Sequence, residues 1–187
     1  MDIYGVVMRN TCELWPDAKK VTEKCETFFG TQFEIYQPSE YVVGTSYTRR
    51  VSEEIAFVLL SQAKAGVSLL SQDQFTRIWR LIEWLDYDVA ALSGGWRKYL
   101  GLSLFSNQKA DARLFIDASR HLSDTLLLNL LRGLEESGGE SVVFLEYDIL
   151  PILNVLPSLL LLHEHDDRLE IGNPIQMDCS QAGETNY

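Results

Sequence analysis

The sequence predicts an α+β (or α/β) domain: a mixed β-sheet centred on one strand–helix–strand unit, with helices packed around it. Three observations within residues 112–148 carry that expectation. Residues 114–116 and 142–145 are short apolar runs, the pattern of strands covered on both faces. Between them Ser123 is placed to cap a helix, with Asp124 in the first turn where its charge meets the helix dipole. Leu127, Leu130, Leu131 and Leu134 then share one helical face before Gly138-Gly139 ends it. A unit of this length is most simply a parallel pair of strands joined by a right-handed crossover.

The other elements follow in chain order. Residues 3–9 read as an opening strand, rich in β-branched and aromatic side chains. Pro16 and Asp17 open a helix that runs to about Phe29, with Val21, Cys25 and Phe28 as its apolar stripe and Gly30 as its stop. Phe33 and Ile35, then residues 41–47, alternate as strands around a turn at Pro38-Ser39, and Gly44 suggests a bulge. Ser52-Glu53-Glu54 starts a second helix that ends at Gly66. Ser71 and Gln74 form a capping box, and the helix they open is expected over residues 71–92, the longest in the chain. Its buried face would hold Phe75, Ile78, Trp79, Ile82, Leu85 and Val89, and Ser93-Gly94-Gly95 would break it. Residues 101–111 read as a polar, irregular connection. After the central unit, residues 148–156 suggest a short helix interrupted by Pro151. Residues 159–163 and 168–171 flank His165-Asp166-Asp167 as a hairpin. One globular domain is expected over residues 1–175, followed by a flexible polar tail over 176–187.

A chain of 187 residues can bury one sizeable core, and 46% hydrophobic with 23% charged residues excludes general disorder. The N-terminus has no basic region of a secretory signal, and the most apolar run, residues 149–162, is interrupted by Pro151, Asn154 and Pro157. That run is also shorter than the roughly 18 residues a membrane helix needs. Three cysteines without metal-ligand spacing, Cys12, Cys25 and Cys179, read as free thiols of a cytoplasmic protein. The net charge of −11 is unevenly spread: residues 133–187 hold eleven acids against Arg168 alone, a net of −10. Phosphate backbones would be repelled there and a cationic partner attracted.

The best catalytic grouping is Asp117, His121 and Asp148, with Glu146 beside them. In a parallel pair Asp117 and Asp148 lie at the carboxyl ends of neighbouring strands, where open α/β sheets bind ligands. Asp117, Glu146 and Asp148 could hold a divalent cation, with His121 in acid–base work. Helix capping, loop hydrogen bonding and solvation are the commoner reasons for acids at strand ends. His163, Glu164, His165, Asp166 and Asp167 form a second polar cluster, the pattern a solvated hairpin tip also selects. Gly94-Gly95 and Gly138-Gly139 match neither G-x-G-x-x-G nor the P-loop and read as turns. Ser119 and Ser123 lie outside any nucleophile elbow, and Cys25 reads as core filler. Trp79, Trp84, Tyr87, Trp96 and Tyr99 gather near Arg77, Arg80, Arg97 and Lys98, a composition shared by cores and by stacking interfaces.

The function expected from these features is noncatalytic: an acidic cytosolic protein of inhibitor or immunity type that docks on and masks a basic protein. Its partner-binding residues would be Glu164, Asp166, Asp167, Glu170, Glu135 and Glu136. Neither a cofactor, nonspecific nucleic-acid binding nor membrane association is expected. The alternative is a metal-assisted hydrolase built on the strand-end carboxylates.

Overall fold

The computed structural model describes residues 2–7, 18–36, 49–66, 70–138, 141–146, 160–165 and 168–172. In chain order these form β1 (Asp2–Val7), α1 (Ala18–Phe29), β2 (Glu34–Tyr36), α2 (Val51–Lys64), α3 (Gln72–Ile78), α4 (Gly94–Ser106), β3 (Ala112–Ile116), α5 (Asp124–Glu136), β4 (Ser141–Glu146), β5 (Leu160–His165) and β6 (Arg168–Gly172). All six strands join one sheet in the order β2-β3-β4-β1-β5-β6. The first five run parallel, and β6 pairs antiparallel with β5 as the expected hairpin. The unit read from residues 112–148 is present: β3 and β4 are parallel neighbours, with Ala112 opposite Ser141 and Ile116 opposite Leu145.

Each face of the sheet buries a separate cluster. Leu114, Ile116, Val143 and Leu145 pack with Cys25 of α1 and Phe33. On the other face Phe115, Val142 and Phe144 meet the leucines of α5 and the aromatic residues of α3 and α4. Period-2 alternation along β3 and β4 therefore serves two cores, which is why both strands read as continuous apolar runs. In α5 the expected stripe holds: Leu127, Leu130, Leu131 and Leu134 are buried, Ser123 Oγ accepts from the Leu126 amide, and Gly138 turns left-handed at φ 75°. In α1 Cys25 is buried, but its neighbours on that face are Thr22 and the half-buried Phe29, while Phe28 turns outward. Phe33 is likewise buried and Ile35 exposed, with Tyr36 taking the inward position.

Two larger expectations are also corrected. No single helix spans residues 71–92. The capping box forms, with the Gln74 amide donating to Ser71 Oγ and the Ser71 amide to Gln74 Oε1, but α3 lasts only seven residues. Arg80 takes φ 52°, its amide donates to the Arg77 carbonyl, and the Leu81 amide reaches back to Thr76 O. These are the bonds of a Schellman stop, with arginine in the place where glycine is usual. Short 3-10 turns at Ile82–Trp84 and Val89–Ala91 follow. Ile82 is consequently 57% exposed, although the helical pattern placed it in the core.

The second correction concerns residues 93–111. Ser93 is an N-cap, its Oγ accepting from the Trp96 amide, and Gly94-Gly95 form the first turn of α4 instead of a break. Tyr99 to Ser106 are all buried, so residues 101–106 of the segment read as an irregular connection complete a largely enclosed helix, while 107–111 are irregular as expected. A helix buried on every side over half its length has no polar face there to give it a periodic signature. The strand expected over 41–47, the helix over 148–156 and the tail over 176–187 lie outside the described residues.

Candidate ligand site at the carboxyl edge of the sheet

Parallel strands end together, and the loops leaving their carboxyl ends share one edge of the sheet. Asp117 follows β3 there and extends the ladder, its amide donating to the Leu145 carbonyl at 2.8 Å. Its φ of 49° lies in the left-handed region, which aspartate tolerates better than most residues. Four residues on, His121 is also left-handed at φ 69° and is exposed. The loop 117–122 turns once, closed by the Leu122 amide on the Ser119 carbonyl, before Ser123 caps α5.

Three groups from other elements touch this loop. Lys98 of α4 donates from Nζ to the carbonyls of Asp117, at 2.6 Å, and Arg120, at 2.7 Å. Glu146, the last residue of β4, accepts the Ser119 amide on Oε1 at 2.8 Å. Gly95 of α4 lies so near that a Cβ on it would stand 2.9 Å from the His121 carbonyl, so the helix's first turn rests directly on the loop. Glycine is needed for that approach. Gly94, one residue earlier, faces open space. Arg120 stays outside, with its guanidinium 3.7 Å from the Asp117 carboxylate.

Burial tunes the two enclosed charges. Glu146 is 1% exposed, and desolvation pushes its carboxyl up to about 7, against the bonds from Ser119 that favour ionisation. Desolvation likewise lowers the Lys98 ammonium, opposed by the charges of Asp117 and Glu146. The edge therefore offers an exposed helix N-terminus led by two glycines, a half-buried carboxylate, and a loop held by buried charges. Helix N-termini of this kind receive phosphate groups.

Of the residues singled out from sequence, Asp117, His121 and Glu146 come together at this edge, and Asp148 lies outside the described residues. Among the described residues no three His, Cys, Asp or Glu side chains group as a metal site. Two of the acidic residues expected to meet a partner lie far from this edge. Glu135 and Glu136 end α5 at the opposite, amino edge, where Glu136 pairs with Arg80 at 2.6 Å. Glu164 lies on β5 opposite Leu169 and Glu170 on β6 opposite His163, while Asp166 and Asp167 are outside the described residues. The aromatic group divides: Trp79 and Tyr99 are fully buried, Trp84 and Trp96 pack at 4.1 Å between ring centroids, and Tyr87 is exposed. Sequence reasoning missed the cap at Ser93 and the anchoring role of Lys98. A capping residue followed by an apolar stretch was the available signal, obscured by the two glycines.

No protein-family model matches the sequence, and no curated protein matches it. Solved structures do. The chain is similar to cbiO1 from Clostridium perfringens, part of the ABC transporter complex cbiONQ, with TM-score 0.58, 12% identity, and coverage of 92% of this chain and 77% of that one. It is similar to a metal-chelate type ABC transporter at TM-score 0.57 and 15% identity, over 92% of this chain and 72% of the other. A cobalt transport ATP-binding protein matches at TM-score 0.56 and 14% identity, over 90% and 67% respectively. These likenesses overturn the expectation of an inhibitor or immunity-type protein masking a basic partner, and with it the metal-assisted hydrolase alternative. The physical reason is that net charge says nothing of fold, and fold is what the likenesses share. Among the described residues no helix is long and apolar enough to cross a membrane. The chain folds as an α/β domain similar to these ABC transporter structures.

Proposed function

We propose that this chain is a cytoplasmic nucleotide-binding domain that takes the phosphates of ATP at the carboxyl edge of its sheet. The observation that carries the reading is the meeting of the glycine-led N-terminus of α4 with the loop 117–122, at the edge where α/β sheets bind ligands. The ATP-binding proteins of similar fold support it. The Gly94 backbone faces open space and can approach a phosphate closely, and the helix dipole favours the negative charge there.

One feature departs from P-loop nucleotide binding. Residues 8–17, which follow the central strand β1, contain no glycine, and G-x-x-x-x-G-K-[ST] occurs nowhere in the chain. The P-loop cradle and its lysine are therefore missing, and the proposal is of binding alone. The dipole contributes about 0.3 to 1 kcal/mol at an exposed site. Without a cradle the affinity should be modest, with Kd on the order of 0.1 to 1 mM, equivalent to about 4 to 5.5 kcal/mol.

Gly94→Asp is the discriminating variant. A Cβ at position 94 meets nothing within 4 Å, and an acid in the first turn suits the helix, so folding is preserved. The added carboxylate repels phosphate. Calorimetry with ATP should give saturable binding to the wild type and at least tenfold weaker binding to Gly94→Asp at an unchanged melting temperature. Absence of heat or thermal shift with 10 mM ATP, or equal binding by the variant, sinks the assignment.

A further inference from the structure

We infer that Lys98 and Glu146 are positioning residues for this site, clamping the loop 117–122 from two sides so that it holds the first turn of α4 in place for the ligand. The inference rests on the nucleotide reading for its ligand, while the clamp itself can be measured without one. Two side chains of opposite charge, from different elements, reach the backbone of one short loop. Lys98 spans it from α4, joining the carbonyls of Asp117 and Arg120. Glu146 reaches it from β4 and takes the amide of Ser119, which lies between them.

The loop needs outside anchors. Asp117 and His121 both hold positive φ, a strained state that persists only where the surroundings fix it. The bond between the Leu122 amide and the Ser119 carbonyl is internal to the loop, so it cannot fix the loop against α4. What does so is Lys98, and the consequence is visible at Gly95, which packs against the His121 carbonyl.

A buried carboxylate is also a costly way to satisfy one backbone amide, because a neutral side chain could accept the same bond with less desolvation. Glu146 is 1% exposed and accepts the Ser119 amide. The charges facing it are Lys98 from α4 and Asp117 from the loop, with Arg120 acting on Lys98 from outside. From β1 the register partner is Val7, which carries no charge. Placing this cost at the edge where the ligand would bind, and not in the sheet interior, marks the pair as serving the site.

The experiment compares Glu146→Gln, which keeps an acceptor oxygen, with Glu146→Leu and Lys98→Met, which remove one anchor each. Amide hydrogen exchange at Ser119 and Leu122 reads the clamp, and calorimetric ATP binding reads the site. Hydrogen bonds to charged groups contribute about 1.5 to 3 kcal/mol, so losing one should speed local exchange roughly 10- to 100-fold. Glu146→Leu and Lys98→Met should show that acceleration, unchanged exchange in α1, and ATP affinity weakened about tenfold or more. Glu146→Gln should restore slow exchange and most of the affinity. Unaccelerated exchange in both anchor-removing variants overturns the clamp, as does a glutamine variant as damaged as the leucine one. Accelerated exchange with unchanged ATP affinity overturns the positioning role. A wild type that binds no ATP overturns the nucleotide reading and with it the ligand-directed role, while the exchange arm still decides the clamp.

Discussion

Gly133 lies in the middle of α5, where replacing glycine by alanine would ordinarily help. The gain in helix propensity is about 0.8 to 1 kcal/mol. Here the helix backbone rests on the indole of Trp79. A Cβ at position 133 would stand 3.0 Å from Trp79 Cδ2 and closer still to Cε3 and Cζ3. Carbon atoms pack best at about 3.5 to 4.0 Å, so the overlap must be relieved by movement. Neither partner moves easily: Trp79 is fully buried, and Tyr99 Oη donates to its carbonyl at 2.7 Å. Overpacking a tight core costs about 1 to 3 kcal/mol, and rigid ring against rigid backbone belongs at the upper end. Subtracting the propensity gain leaves a net loss of about 2 kcal/mol for Gly133→Ala. For a chain of this size that is a fall of roughly 4 to 8 °C in Tm. Urea unfolding followed by fluorescence would measure it. The double variant with Trp79→Leu provides the control, since removing the ring should return the benefit of alanine, with a coupling of about 0.5 to 3 kcal/mol. A Gly133→Ala variant more stable than wild type by about 1 kcal/mol would refute the contact and the packing of α5 on α3.

The crossover helix should be central to stability: Leu131 is 2% exposed, and Leu131→Ala should cost about 2 to 5 kcal/mol by chemical denaturation, with a loss under about 0.5 arguing against the architecture. Glu146 should make stability pH-dependent. Its carboxyl titrates near 4.5 when unfolded and about 7 when folded, so its stabilising contribution is complete below about 4.5 and is lost as pH rises through about 7. The stability of Glu146→Gln relative to wild type should therefore rise between pH 5 and pH 8, and a difference independent of pH would exclude a buried carboxyl at that position.

The central unit was legible because each of its signals is local. Ser123, the leucine stripe and Gly138 are read one turn at a time, and two flanking apolar runs leave little else for the strands to be. The helix expected over 71–92 failed for an equally local reason. Its stop is made by Arg80 in the left-handed conformation, and an arginine gives no warning of that. The apolar residues beyond it kept a helical spacing although Ile82 and Val89 belong to separate short turns. In α4 the difficulty was reversed. Glycines that usually end helices begin this one, held by Ser93 before them and the loop carbonyl of His121 beside them. That second support comes from a residue 26 positions along the chain, and no window of sequence contains it.

The site follows the same division. Asp117 and Glu146 were found because they end strands, a position sequence can mark. Their relation to Lys98 was not, since a lysine on the flank of a helix has the same appearance whether it meets water or two loop carbonyls. Charge counting misled for a related reason. A net of −10 over residues 133–187 invites a single acidic surface, but α5 returns from the carboxyl edge to the amino edge and carries Glu135 and Glu136 away from the ligand site. At that far edge Glu136 is engaged by Arg80, the same residue whose left-handed turn ends α3. An exposed pair of this kind contributes about 0 to 1 kcal/mol, too little to define a docking face. Among the described residues Lys98 and Glu146 meet at loop 117–122, and there burial gives both of them consequences that surface acids lack.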